Sequence, residues 1–290
     1  MIYKSHSNLL DNITKNILKN DYPQAILLIG ESGGGVETIT SEIIQSVLPG
    51  WEHGKMDSRF YEIYPEEKKN EKKQTKTISV DDVRKIVKRV TLSSSDWKVV
   101  LVQAAGRMTN AAVNSFLKTL EEPTKKTLVI CSVNKASELP ATILSRCQLY
   151  RIPLPSPEES LQTIQIIPED DRTTFLSIAD YNPGLANELY SSGGNEIYCK
   201  IDTVFTSLKK GRKDQKKIAE IAGFAKEKYD IIERITLWEL GRLIKISVLK
   251  NTDQAERLTQ KWNDISKIFQ HGREYNLDLG TSVTEAFNQI

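Results

Sequence analysis

The chain has 290 residues, 39% hydrophobic and 27% charged, with 40 basic against 38 acidic side chains and a net charge of +2. This is the composition of an ordinary globular protein with room for two or three cores. It excludes a histone-like polycation, while local basic patches for nucleic acid stay open.

The N-terminal MIYKSHSNLLDN has no apolar leader region, and no stretch approaches the roughly 18 apolar residues of a membrane helix. A cytoplasmic chain with no membrane partner is expected. Ala25–Ile29 (AILLI) is a continuous apolar run, the mark of a parallel strand covered on both faces. Beyond the glycines that follow, Val36, Ile39, Ile43, Ile44 and Val47 share one helical face, and Pro49-Gly50 stops it. Residues 65–76, PEEKKNEKKQTK, carry no apolar side chain and read as a solvated loop.

Pattern returns with Ser79 or Asp81 as cap for a helix bearing Val83, Ile86, Val87 and Val90. Trp97–Val102 (WKVVLV) reads as the second strand. Thr109 caps a helix with Val113, Phe116, Leu117 and Leu120 on one face, stopped by Pro123. Thr127–Val133 (TLVICSV) is the third strand, Pro140–Ser145 a short helix or turn, and Gln148–Ile152 the fourth strand. Strands alternating with helical crossovers give an α/β layer with a largely parallel sheet.

The rhythm changes at Pro153-Leu-Pro-Ser-Pro157, and only helical periods follow: 157–167, 171–180, 183–191, about 196–208, 214–228, 229–250, 252–275 and 280–290. Lys209–Lys217 (KKGRKDQKK) is a basic break between them, read as a solvated linker, with a phosphate contact as the alternative. Cys131, Cys147 and Cys199 are an odd count with no CxxC and no histidine nearby, which predicts reduced thiols and no metal site.

Residues 30–38, GESGGGVET, have the frame of a phosphate loop after a strand and before a helix. Gly30, Gly33, Gly34 and Gly35 fit, but Val36 holds the lysine position and Glu37 the position of the Mg²⁺-binding hydroxyl. Thr38 comes one residue late, about 100° round the helix. After the second strand a nucleotidase needs an acidic pair for Mg²⁺ and water, and here stand Gln103 and Ala104. Two separate sites lack their charges, so hydrolysis by this chain alone is not expected. Either the glycines only keep the turn tight, or the loop amides and helix N-terminus still take nucleotide weakly.

The runs TNAAVNSFLKTLEEP (109–123) and TLVICSVNKASELPATILSRCQ (127–148) resemble the clamp-loader branch of the AAA+ proteins. Ile78-Ser-Val-Asp81 with Arg84, Tyr181-Asn-Pro-Gly184 and Asn276-Leu-Asp-Leu279 extend the resemblance along nearly the whole chain. It implies a P-loop (AAA+) α/β domain over 1–154, a helical lid over 155–200 and an all-α collar over 201–290.

By the same resemblance Arg146, between Ser145 and Cys147, is an arginine finger offered across a subunit boundary to a neighbour's ATP. The lid arginine that senses ATP in motor subunits falls at Leu185, a neutral residue, and Ser132-Val133-Asn134 lies where a nucleotide-sensing polar group sits. The four-cysteine zinc module common in the family has no counterpart in residues 48–76, so neither zinc nor another resident cofactor is expected.

The resemblance further implies motor (gamma/tau) and delta subunits as partners in a hetero-oligomer, and the sliding clamp and primer–template DNA through the assembled complex. Arg107 and Lys118 are the candidates for contact with the DNA backbone. Ile231, Ile232, Ile235, Leu237, Trp238, Leu240, Leu243 and Ile244 exceed one helical stripe, which predicts a collar face buried against other subunits. The rival expectations are an ATP-hydrolysing motor with variant motifs and an AAA+ relic working as an adaptor outside replication.

Overall fold

Five short strands pair into one all-parallel sheet in the computed structural model, which describes residues 3–18, 24–65, 76–91, 96–122, 124, 126–249, 252–275 and 277–290. In chain order the first part runs α1 (Lys4–Leu18), β1 (Ala25–Ile29), α2 (Val36–Val47), β2 (Phe60–Ile63), α3 (Val80–Thr91), β3 (Lys98–Val102), α4 (Asn110–Glu121), β4 (Thr127–Val133), α5 (Ala141–Leu144) and β5 (Gln148–Arg151). The strand order is β2-β3-β4-β1-β5. Leu27 lies opposite Cys131, and Ile26 opposite Gln148.

The central strands are apolar on both faces because both faces are covered. On one side Leu27, Val100, Val102, Val129 and Cys131 pack with Val83, Phe116 and Leu120 of α3 and α4. On the other, Ile26, Leu28, Val99, Leu101 and Ile130 pack with Ile13 and Ile17 of α1 and Ile39 and Ile43 of α2. Each such side chain taken fully out of water contributes about 1.5–3 kcal/mol. The Thr109 hydroxyl accepts from Ala112 N–H at 3.2 Å and caps α4 as expected, and Ser79 exchanges bonds with Asp82 at the start of α3.

Two elements depart from the sequence expectation. The N-terminal segment is a helix, α1, whose Leu10, Ile13 and Ile17 are buried at helical spacing. The edge strand β2 adds a fifth strand to the expected four. It has only four residues and pairs with β3 alone. So short and one-sided a strand leaves almost no periodicity to read. Most of the expected solvated loop, residues 66–75, lies outside the described residues, as does Pro123.

The rest is helical: α6 (Pro157–Thr163), α7 (Glu169–Ile178), α8 (Pro183–Leu189), α9 (Asn195–Lys209), α10 (Gln215–Gly223), α11 (Ala225–Val248), α12 (Thr252–Glu274) and α13 (Leu279–Gln289). The boundary expected between helical periods at 228/229 falls earlier, with α10 ending at Gly223 and α11 starting at Ala225, although α11 departs from helical geometry at Lys228 (φ −130°, ψ 28°). The basic stretch after Lys209 is the connection to α10, capped by Asp214 accepting from Lys217 N–H at 3.2 Å.

The chain forms two compact units, Met1–Thr163 with Tyr181–Leu185, and Ile164–Asp180 with Ala186–Ile290. The second has its own core of Phe175, Phe205, Phe269, Phe287, Ile232, Ile235 and Leu240. Of the eight apolar residues singled out on α11, these last three are buried within the chain, while Ile231, Leu237, Trp238, Leu243 and Ile244 stay half-buried.

Candidate functional site

β1 ends at Ile29 and the chain turns through Gly30–Gly35 into α2, at the carboxyl end of a central strand where doubly wound sheets hold ligands. Gly33 (φ 79°) and Gly35 (φ 107°) occupy the left-handed region that favours glycine. Gly30 N–H donates to the Val133 carbonyl and Gly34 N–H to that of Glu31, each at 3.0 Å. Gly33 N–H, an amide of the kind a bound phosphate would use, donates to both carboxylate oxygens of Glu37 at 3.2 Å, and the Ser32 hydroxyl donates to Glu37 Oε1 at 2.7 Å. Glu37 stands in the first turn of α2, where the helix N-terminus favours negative charge. The loop thus carries its own anion, and the buried Val36 brings no cation to it.

A second element closes on the loop from far along the chain. The buried Asn182 donates from Nδ2 to the Ser32 carbonyl at 2.9 Å and accepts at Oδ1 from Leu185 N–H at 3.1 Å. Gly184 N–H donates to the Gly33 carbonyl at 3.1 Å. The backbones lie so close that a Cβ on Gly184 would stand 2.3 Å from Gly33 Cα. Gly35 abuts the buried His6, whose Nε2 bonds the Pro153 carbonyl at 2.8 Å. Leu185 therefore serves the loop through its backbone, not its side chain.

At the end of β3, Gln103 donates to Glu62 Oε1 at 2.6 Å, and the left-handed Ala104 (φ 46°) directs its N–H to Ser132 Oγ at 3.4 Å. Sequence reasoning missed Glu62, because β2 itself was not legible. Glu62 lies beside β3, opposite Leu101 in register, and its carboxylate is tied to an amide. Glu37, Glu62, Gln103 and Ser132 line a cavity of about 120 Å³ with Trp51 and Phe60. Within residues 48–60, the buried Trp51 ring lies 5.1 Å from that of Phe60 and 6.2 Å from that of His53. Among the described residues no group of three or more His, Cys, Asp or Glu is placed to hold a metal ion.

The Ser-Arg-Cys turn sits elsewhere. α5 is a single turn, and Arg146 N–H closes it on the Ile143 carbonyl at 3.0 Å. The guanidinium donates from Nη1 to the Thr142 carbonyl at 3.0 Å and to Ser145 Oγ at 3.2 Å, and from Nη2 it meets Glu121 Oε1 at 2.8 Å. Its side chain is 36% exposed. Behind it Cys147 is buried against Cys131: the bond to Cys147 and full burial push the Cys131 thiol well above its ordinary value, while the same bond lowers that of Cys147. Both read as structural thiols.

Gln148 lies opposite Ile26 in a parallel pair, so Arg146 stands at the amino ends of the strands and the glycine loop at the carboxyl ends. At 3.3 Å per residue the two are separated by about 20 Å along the strand direction. The fold brings Gly30–Glu37, Gln103 and Ala104 to one end of the sheet, and holds Arg146, Ser145 and Cys147 at the other. Arg107, in the 3₁₀ turn Ala105–Arg107, and Lys118, in the last turn of α4, are both exposed. Asn182 and Glu121 were also missed, although both lie inside quoted motifs, since nothing in their spacing shows what they touch.

The second unit holds a separate cavity of about 780 Å³, lined by Trp238, Trp262 and Gly241 among mixed charges. Arg273 there pairs with Asp230 and Glu233, and Arg234 with Asp180.

Comparison with known proteins agrees with the motifs. Residues 5–156 match the family described as DNA polymerase III, delta subunit. The chain is 31% identical over 181 residues to the DNA polymerase III subunit delta' of Haemophilus influenzae, covering 58% of this chain and 55% of that one. It is 32% identical over 137 residues to the Escherichia coli K12 subunit delta', covering 45% and 39%. The chain thus spans about half or less of the length of these two relatives. A gamma subunit of Buchnera aphidicola is 23% identical over 237 residues, covering 69% of this chain and 63% of that one. Among solved structures, a DNA polymerase III gamma subunit-related protein from Thermotoga maritima has a TM-score of 0.51 at 19% identity, covering 96% of this chain and 97% of that one. That likeness bears on the fold alone, and it agrees with the P-loop AAA+ class.

Proposed function

The chain belongs to the DNA polymerase III delta-subunit family, and we propose that it works there as a delta-prime-like, non-hydrolysing subunit of a clamp loader, presenting Arg146 to ATP held by a neighbouring motor subunit. The observation that carries this is the separation of the two sites: Arg146 is half-exposed at the amino ends of the strands, about 20 Å from its own glycine loop. A guanidinium so placed has no use in cis. Supplied in trans, it would stabilise charge developing on the transferred phosphoryl group, an effect worth roughly 10³–10⁵ in rate.

The absence of intrinsic ATPase activity is supported by Val36, Glu37 and Gln103 at the positions of the missing charges, and by Glu37 occupying the Gly33 amide. No resident zinc or nucleotide is invoked. The partners on this reading are gamma/tau-type motor and delta subunits, with the sliding clamp and primer–template DNA met through the assembly. Arg107 and Lys118 are exposed and free to meet phosphates. The three-part division into AAA+ domain, lid and collar belongs to the same reading, as does a cytoplasmic location. Among the described residues no helix is long and apolar enough to cross a membrane.

The test is ATP hydrolysis by a loader reconstituted with clamp and primed DNA, comparing this chain with its Arg146→Ala variant. The isolated chain serves as the blank. A rate loss on the order of 10³-fold with assembly intact is expected. An unchanged rate reduces Arg146 to a structural residue, and hydrolysis in the blank restores the motor reading.

A further inference from the structure

Arg146 does not hang free from its turn. Its Nη1 is held by the Thr142 carbonyl and Ser145 Oγ, and its Nη2 by the carboxylate of Glu121, in the last turn of α4. The acceptors therefore come from two elements, and only one of them carries a formal charge. An arginine has five N–H donors in a flat fork. Two of them, on Nη1, bond the Thr142 carbonyl and Ser145 Oγ, Nη2 meets Glu121 as an ion pair, and among the described residues Nε–H finds no partner. Nε–H is thus left for a phosphate oxygen, and Nη2 joins it where the phosphate displaces Glu121.

We infer that Glu121 is the positioning residue of Arg146: its carboxylate holds the guanidinium at the Ser-Arg-Cys turn before any neighbour arrives. The inference rests on the finger reading above. Glu121 is itself half exposed, so its ion pair is weak and can yield to a phosphate without a large penalty. Without it, a long flexible side chain must be ordered at the moment of catalysis. Misplacement of about 1 Å in such a group costs on the order of 10²-fold in rate.

The experiment is a double-mutant cycle in the reconstituted loader with clamp and primed DNA, with assembly checked by gel filtration. Glu121→Ala should lower kcat on the order of 10-fold at unchanged KM for ATP. Glu121→Gln, which keeps an acceptor oxygen, should recover most of that loss. Arg146→Ala combined with Glu121→Ala should be no slower than Arg146→Ala alone, because Glu121 acts only through Arg146. Three results overturn the inference while the finger reading stands: no effect of Glu121→Ala, a faster rate on its removal, or losses that multiply in the double variant. An inert Arg146→Ala overturns the finger reading and this inference with it.

Discussion

The carboxylate of Glu37 and the N–H of Gly33 meet at 3.2 Å, so the amide that a phosphate would need is already bonded to an anion of the same chain. The residue at the Mg²⁺-ligand position has become the occupant of the site. Glu37→Thr removes the carboxylate and frees Gly33 N–H and the Ser32 hydroxyl beside the α2 N-terminus. The variant is expected to bind inorganic pyrophosphate in the millimolar range, a free energy of about −4 kcal/mol, where the unmodified chain shows no saturable binding. A ³¹P NMR titration of both chains checks it. Equal binding by the two would mean that Glu37 does not fill the cradle.

Most of this fold is legible in the sequence wherever an element is long or covered on both sides. The apolar runs of β1, β3 and β4 and the helical stripes from Val36 and Thr109 fall where the pattern puts them. α1 goes unread because Leu10, Ile13 and Ile17 are diluted by polar residues, although they lie on one face. The loss of charge at Val36, Glu37 and Gln103 is plain from identity alone. What occupies the loop instead is not, because Asn182 reaches Ser32 across 150 residues of chain, and no local rule links them. The partnership of Arg146 with Glu121 is hidden in the same way: two specific motifs stand side by side in sequence, and only the fold joins their side chains.

Glu159 ties the starts of two helices together. It accepts from Ser156 N–H at 3.0 Å, while Ser156 Oγ accepts from Glu159 N–H at 3.2 Å, a reciprocal cap on α6. It also accepts from Ser5 N–H and Oγ at 2.8 Å, at the start of α1. The Ser156 and Ser5 amides, with the Ser5 hydroxyl, hold its carboxyl down at about 2. A carboxyl depressed in the folded state contributes stability above its unfolded value of about 4.3, and that contribution is lost as pH falls through about 2. The stability difference between the unmodified chain and Glu159→Gln is therefore expected to be full at neutral pH and to shrink between about pH 5 and pH 2. Hydrogen exchange of the α1 amides across that range checks it. A difference that does not change with pH would show that the carboxylate charge plays no part.

The loop and the Asn182–Gly184 segment approach so closely that neither glycine can carry a side chain. A Cβ on Gly184 would stand 2.3 Å from Gly33 Cα, and one on Gly33 2.8 Å from Gly184 Cα, with Gly33 also held at φ 79°. Backbone cannot swing away as the end of a flexible side chain can, so Gly184→Ala must separate the two segments. That puts at risk the bond from Gly184 N–H to the Gly33 carbonyl and those of Asn182 with it. Gly50 provides the control: its φ of 84° is equally left-handed, but nothing lies within 4 Å of the position its Cβ would take. Gly50→Ala is then expected to cost about 1 kcal/mol, from backbone strain alone. Gly184→Ala is expected to cost about 3 kcal/mol, the upper range for overpacking. Hydrogen exchange of the β1 and β4 amides, which report opening of the first unit, measures both. Equal losses in the two variants would mean that the contact at Gly33 gives way easily, and that the segment rests on the loop without bracing it.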